Sequence, residues 1–229
     1  MSDYAFQIDP AALVPMDSFA GEYPLRVELV YAQAGHKDNM FRQAIYRPEA
    51  RLWLHKELAA IVKRASKLVF EQHGYKMLLF DGLRTTDAQE AIAETAIVKA
   101  HPHWLTGPER LFSPAGKGGH PRGMAIDLTL ETEDWEELDM GTAFDALPTG
   151  GAGPETNPAH RDSALISAEA GHNRDILTGF MMLAAKELDL PLQPLSVEWW
   201  DFRFPADYYG QYAPLADADL PEEMRMVCL

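Results

Sequence analysis

The sequence predicts an α+β fold, and three observations carry that prediction. Two long segments repeat their apolar residues with a helical period, several short apolar runs read as strands, and the two kinds are interspersed without the regular alternation of a doubly wound sheet. With 229 residues, 47% of them hydrophobic, the chain has the size and apolar content of one domain, or at most two small ones.

In chain order, Arg26 to Tyr31 alternates as a half-buried strand, with Val27, Leu29 and Tyr31 on one side. From Leu52 to Phe70 the residues Leu54, Leu58, Ile61, Val62, Ala65, Leu68 and Val69 recur at three- and four-residue steps, and Gly74 follows as a stop, which predicts an amphipathic helix. The apolar run Met77-Leu78-Leu79-Phe80 ends at Asp81-Gly82. Thr86 with Gln89 then reads as a capping box for a second helix, reaching about Ala100 and stopping before Pro102. Met124 to Leu130 reads as a strand, Ser163 to about Asp189 as a helix broken at Gly171, and Leu195 to Phe204 as an aromatic-rich strand. Two Gly/Pro-rich stretches, His101 to Gly123 and Leu147 to Pro158, are long for loops and sit where a scaffold tends to carry function.

Composition excludes several classes of function. There are 20 Lys+Arg against 35 Asp+Glu, a formal net charge of −15, and no basic run offsets it locally, so neither nucleic acid nor an anionic membrane surface is expected as a partner. A single cysteine, Cys228, leaves no disulfide framework and no Cys-rich zinc site. The acidic N-terminus lacks the basic start of a secretion signal, and the longest apolar stretch, around Ile176 to Ala185, is too short to span a bilayer. A cytoplasmic location is expected.

Three units could carry chemistry. In His120-Pro121-Arg122-Gly123-Met124-Ala125-Ile126-Asp127 an imidazole ends a glycine-rich loop, and an aspartate follows on the next strand. Alternation sets Asp127 beside the small residues Ala125 and Thr129, opposite Ile126, Leu128 and Leu130. Alone, such a pair is more often a loop histidine and a polar-face aspartate than a site. Glu198 and Asp201 stand among tryptophans and need a metal or an arginine as partner; the alternative has Glu198 facing solvent and Asp201 paired with Arg203. Three residues apart, they can serve one site only where the strand ends, twists or bulges. Arg84, in the turn after Asp81-Gly82, suits a developing oxyanion, and otherwise pairs with Asp81 or Asp87.

Taken in order, these segments resemble the D-alanyl-D-alanine dipeptidase family, the vancomycin-resistance type of zinc metallopeptidase. The matching pieces run from about Val27 to Phe204: Val30-Tyr31-Ala32 with Asp38-Asn39-Met40-Phe41, Phe80-Asp81-Gly82-Leu83-Arg84, His120 to Leu130, Asp139 to Asp145, Asn173-Arg174, Gly179-Phe180 and Glu198-Trp199-Trp200. The resemblance implies one domain, residues 1–229, with a core of about 26–204 and an irregular tail of 205–229, whose mainly antiparallel sheet is flanked by helices and holds a metal site in a cleft. It implies hydrolysis of D-alanyl-D-alanine or a related D-containing dipeptide through a metal-bound water, in cell-wall precursor turnover. By the same resemblance His120 and Asp127 are zinc ligands, Glu198 is the catalytic base and Arg84 the oxyanion-stabilising residue, while Tyr31 and Asp145 hold the substrate's amino group.

The chain departs from the pattern where Asp201 takes the place of the family's third ligand, a histidine, and where Gly118-Gly119 precede His120 in place of polar side chains. Aspartate is an acceptable zinc ligand. With Asp127 and Asp201 both ionised, however, a divalent centre is neutralised, which predicts a weaker Lewis acid and a relaxed choice among divalent metals. Two other readings stand beside the peptidase: a small-peptide binding or sensor module whose metal site is weakened at Asp201, and an acidic interaction protein with no site.

Overall fold

The computed structural model describes residues 4–106, 112–146 and 151–228. In chain order its elements are strand β1 (Leu13–Pro15), β2 (Leu25–Val27), β3 (Trp53–His55), helix α1 (Lys56–His73), β4 (Lys76–Asp81), α2 (Thr86–Ala93), α3 (Ala96–Ala100), β5 (Ala125–Glu131), α4 (Ala168–Glu187), β6 (Gln193–Pro194), β7 (Asp201–Arg203) and the short α5 (Ala206–Tyr209). Five strands form one sheet in the order β2-β4-β5-β7-β6. Only β2 and β4 run parallel, and β1 and β3 make a separate antiparallel pair. This is the expected α+β architecture with a mainly antiparallel sheet.

Helix α1 packs on α4, and these two helices reach β4 and β5 respectively. All seven residues of β5 are buried. Its apolar residues Ile126, Leu128 and Leu130 alternate with Asp127 and Thr129, so the polar face of this strand is also enclosed by the chain. The segment after α5 packs into the same core through Leu215, Leu220, Met224 and Met226. Buried Asp217 fixes it by accepting hydrogen bonds from the backbone N–H groups of Met226 and Val227. Among the described residues no helix is long and apolar enough to cross a membrane.

Several boundaries differ from the sequence reading, each for a tertiary reason. The strand expected to reach Tyr31 ends at Val27; Val30–Ala32 form a 3-10 turn that buries Tyr31 completely between Phe41, Tyr46 and Phe144. Residues Trp53–His55, expected in the helix, pair with β1, so α1 begins at Lys56 and ends, as expected, at Gly74 in a left-handed conformation. The second predicted helix is two: Thr85, not Thr86, caps α2, and Thr95 starts α3 afresh. Gln89, expected to close a capping box, instead bonds the loop at Gly116 and Lys117. Helix α4 starts at a Ser167 cap and runs unbroken through Gly171, because Asn173 and Arg174 immediately beyond anchor it to the loops at Asp139, Met140, Pro158 and His160. The strand expected over Leu195 to Phe204 shrinks to Asp201–Arg203, preceded by a turn at Trp199 and Trp200.

Gly82 follows β4 in a place only glycine fits. A Cβ there would lie 2.7 Å from the Trp53 carbonyl oxygen and 2.9 Å from the side chains of Leu52 and Leu54. Gly82→Ala is expected to lower the free energy of unfolding by about 1–3 kcal/mol, the range for overpacking, as read from a urea melt. An unchanged midpoint would show that β3 and the Gly82 turn are free to separate.

Candidate metal and active site

The register of the sheet builds the site. In regular antiparallel pairing after Leu79↔Leu128, the partner of Asp127 is Phe80. A bulge between Leu79 and Asp81 shifts the register by one, so that Asp81 stands opposite Asp127. On the other side Asp127 pairs with Asp201. Asp81, Asp127 and Asp201 therefore form a row of carboxylates across β4, β5 and β7, none more than 2% exposed.

His120 comes to this row from a 3-10 turn, His120–Arg122, which Gly123 closes at φ 62°. Its Nδ1 lies 2.7 Å from the Gly82 carbonyl oxygen, a partner that can only accept, so Nδ1 carries the proton. Nε2 then faces the carboxylates, 3.6 Å from Asp127 Oδ2 and 3.4 Å from Asp201 Oδ2. Burial opposes a charge on this imidazole, but the neighbouring Asp127 and Asp201 outweigh it and lift the pKa to about 10.

Each carboxylate has its own partners. Asp81 is saturated: Tyr46 donates to Oδ1 at 2.7 Å, and Arg84 Nε and Nη2 donate to Oδ2 at 3.0 and 2.6 Å. Asp201 accepts from Arg203 Nε at 2.7 Å and from Arg203 Nη2. Burial raises its pKa, but the Arg203 guanidinium beside it holds the carboxyl well below the usual range. Asp127 alone keeps a buried oxygen, Oδ1, with no hydrogen-bond partner among the described residues. A buried carboxylate oxygen without a donor is costly unless a cation satisfies it. The atoms of Asp81, His120 and Asp127 lie close enough to hold a metal ion together, and Asp81, like Asp201, is also engaged by protein donors. His120 and Asp127 face a cation position together, with the carboxylates of Asp81 and Asp201 on either side of Asp127. A set of one imidazole and two carboxylates fits a divalent metal with a position open for water or substrate.

The row opens on a small cavity whose walls include Arg84, His120, Asp127, Asp145, Glu198 and Asp201. Because Leu195 to Trp200 is a turn and not a strand, Glu198 and Asp201 can line the same cavity, which settles the spacing problem the sequence raised. Arg161 clamps that turn through the carbonyl oxygens of Leu195, at 2.9 Å, and Asp201, at 2.6 Å. Burial, then the charge of Asp201, push the Glu198 carboxyl up to about 8. Arg84, besides holding Asp81, lies 3.6 Å from Asp127 Oδ2 and 5.3 Å from the centre of the Tyr31 ring. Tyr31 donates its hydroxyl hydrogen to Asp145, whose carboxyl burial lifts to about 7 against that bond.

All seven residues singled out in the sequence thus come together: six line the cavity, and Tyr31 stands directly behind Asp145. Both ion pairs weighed as structural alternatives, Arg84 with Asp81 and Asp201 with Arg203, also form, within the site and not apart from it. Sequence reasoning missed Asp81 as a member of the row, and Tyr46 and the Gly82 carbonyl as supports. It missed the role of Arg203 inside the site, although two residues apart on a strand share a face. Of the two Gly/Pro-rich stretches, the first supplies Ser113, Lys117 and Gly118 to the wall. Residues 107–111 and 147–150 lie outside the described residues, and the described part of the second stretch adds nothing to the wall.

Comparison with known proteins identifies the family. The family model described as D-ala-D-ala dipeptidase matches residues 11–217. A D-alanyl-D-alanine dipeptidase of Escherichia coli (strain K12) is 30% identical over 218 residues, covering 95% of this chain and 93% of that protein. A D-alanyl-D-alanine dipeptidase of Enterococcus faecium is 29% identical over 165 residues, 64% of this chain and 70% of that protein. The chain belongs to the D-Ala-D-Ala dipeptidase family of metallopeptidases.

Proposed function

We propose that this metal-dependent dipeptidase cleaves D-alanyl-D-alanine or a closely related D-containing dipeptide in the turnover of cell-wall precursors, as a single domain acting in the cytoplasm. The observation that carries the reading is the unpartnered Oδ1 of buried Asp127, beside His120 Nε2 and in a cavity walled by Glu198 and Arg84. His120, Asp127 and Asp201 are assigned as the residues that would hold the ion, zinc by family or another divalent metal. When bound, such an ion supplies Lewis acidity and lowers the pKa of water.

The chain's own residues do the rest. Asp145, steadied by Tyr31, offers a carboxylate to the ammonium of the substrate, which restricts cleavage to peptides whose free amino end reaches it. Glu198, poised near neutrality, receives a proton from the attacking water and delivers it to the leaving amine. Arg84 cannot lose its charge and is held by Asp81, so it faces the oxygen on which negative charge develops without having to reorganise. Trp200, largely buried, adds an apolar wall that limits water. A small-peptide binding module on the same fold is the second reading, and the engagement of Asp201 by Arg203 is the observation on its side. That module would carry substoichiometric metal and release no alanine.

Glu198→Gln is expected to keep its metal content and fold while lowering turnover by at least about a hundredfold, the scale for losing a general base. Release of D-alanine followed with metal analysis of the same preparation checks this, and turnover within a fewfold of the parent would remove Glu198 from the role.

A second expectation concerns pH. The raised pKa of Asp145 means that the carboxylate needed for the ammonium is present above about 7 and lost as pH falls through that value. KM for the dipeptide should therefore rise below neutrality, and Asp145→Asn should show a high KM with that limb gone. A KM profile that is flat in the parent, or identical in the variant, would show that the ammonium is held elsewhere.

A further inference from the structure

Asp201 presents a problem of charge. The sequence counts it as a carboxylate added to a metal site, so that two ionised ligands would cancel a divalent ion and blunt its Lewis acidity. In the folded chain that carboxylate is not alone. Arg203, two residues on and on the same face of β7, donates Nε to one oxygen and Nη2 to the other, a fork-on-fork pairing. Asp201 is 1% exposed at its side chain and Arg203 18%, so water screens the pair weakly. Arg203 also lines the cavity itself. Each carboxylate oxygen has two lone pairs, so the fork leaves Asp201 able to reach toward His120 Nε2, 3.4 Å away.

We infer that Arg203 is a positioning residue that turns Asp201 into a charge-neutral ligand, so that positions 201 and 203 work as one unit in place of a single imidazole. This rests on the assignment of Asp201 as the third ligand. With Arg203 counted, the donor set of His120, Asp127 and Asp201 carries a net −1, and a divalent ion keeps a net positive charge. The arginine then offsets the charge that the aspartate adds.

A double-mutant cycle on the full chain, with metal affinity read by chelator competition for Zn2+ and Mn2+, tests the unit without relying on activity. Arg203→Met should bind both ions about tenfold more tightly, because a positive charge beside the ion is gone. Asp201→His alone should bind at least about tenfold more weakly, since Arg203 then faces the ion unopposed. Asp201→His with Arg203→Met together should return to near the parent value, and Arg203→Lys, which keeps the charge, should stay near it throughout. Melting of the metal-free variants, measured alongside, separates loss of fold from loss of affinity. An Arg203→Met protein that binds no more tightly than the parent, or a double variant that stays far from the parent value, would overturn the unit while leaving the peptidase reading intact. A parent chain that binds neither ion would overturn both.

Discussion

Three carboxylates in one cross-strand row are the constraint on which the rest of this site depends. Like charges directly opposite one another on adjacent strands destabilise a sheet, and here they are buried as well. The fold meets that with cations placed around the row: Arg84 on Asp81, Arg203 on Asp201, and His120 against Asp127 and Asp201. Asp127, in the centre, keeps an oxygen that no donor among the described residues reaches. The site is thus a sheet whose electrostatics are complete at both ends and incomplete in the middle. A bound divalent ion would complete it, and by mass action would also stabilise the folded chain.

The supports around the row are backbone features as much as side chains. Gly82 brings its carbonyl oxygen to His120 Nδ1, and the same residue packs without a Cβ against the Trp53 carbonyl, so the orientation of the imidazole is tied to the contact between the sheet and the β1–β3 pair. Arg161 and Arg174 play matching parts. The first gathers the turn that carries Glu198 and Asp201, and the second gathers the loops at Met140, Pro158 and His160, near the segment that carries Asp145. Arg174 is buried and Arg161 half-buried, and burial lowers the pKa of each to about 10. Each satisfies several carbonyl oxygens at once, which is how short, irregular segments are held to the precision that catalysis needs.

Charge inside the cavity also runs against charge outside. The chain carries a net −15, yet the wall of the cavity holds Arg84, Lys117 and Arg203 together with Asp127, Asp145, Glu198 and Asp201. A zwitterionic dipeptide needs both signs in one small volume. Raised pKa values at Asp145 and Glu198 show what it costs to bring so many acids together away from water, and they leave both groups near neutrality, where a change of protonation state is easy.

Residue type and order in the sequence were enough to single out His120, Asp127, Glu198 and Arg84, the long amphipathic helix up to Gly74, and an α+β fold, because apolar periodicity and the chemistry of side chains are local properties; Tyr31 and Asp145 came only from the resemblance to a known family. What the sequence could not supply was register. Nothing local marks a bulge between Leu79 and Asp81, yet that one-residue shift sets Asp81 opposite Asp127. Nothing local ends the strand at Val27 or turns the chain at Trp199 and Trp200; pairing partners available in the folded sheet decide both. The same holds for Asp201, whose two possible fates, metal ligand or partner of Arg203, looked exclusive in the sequence. Tertiary structure forms the pair with Arg203 and at the same time brings His120 Nε2 to 3.4 Å from the same carboxylate. Long-range pairing is a property of the whole sheet, and so it was decided only when the sheet was assembled.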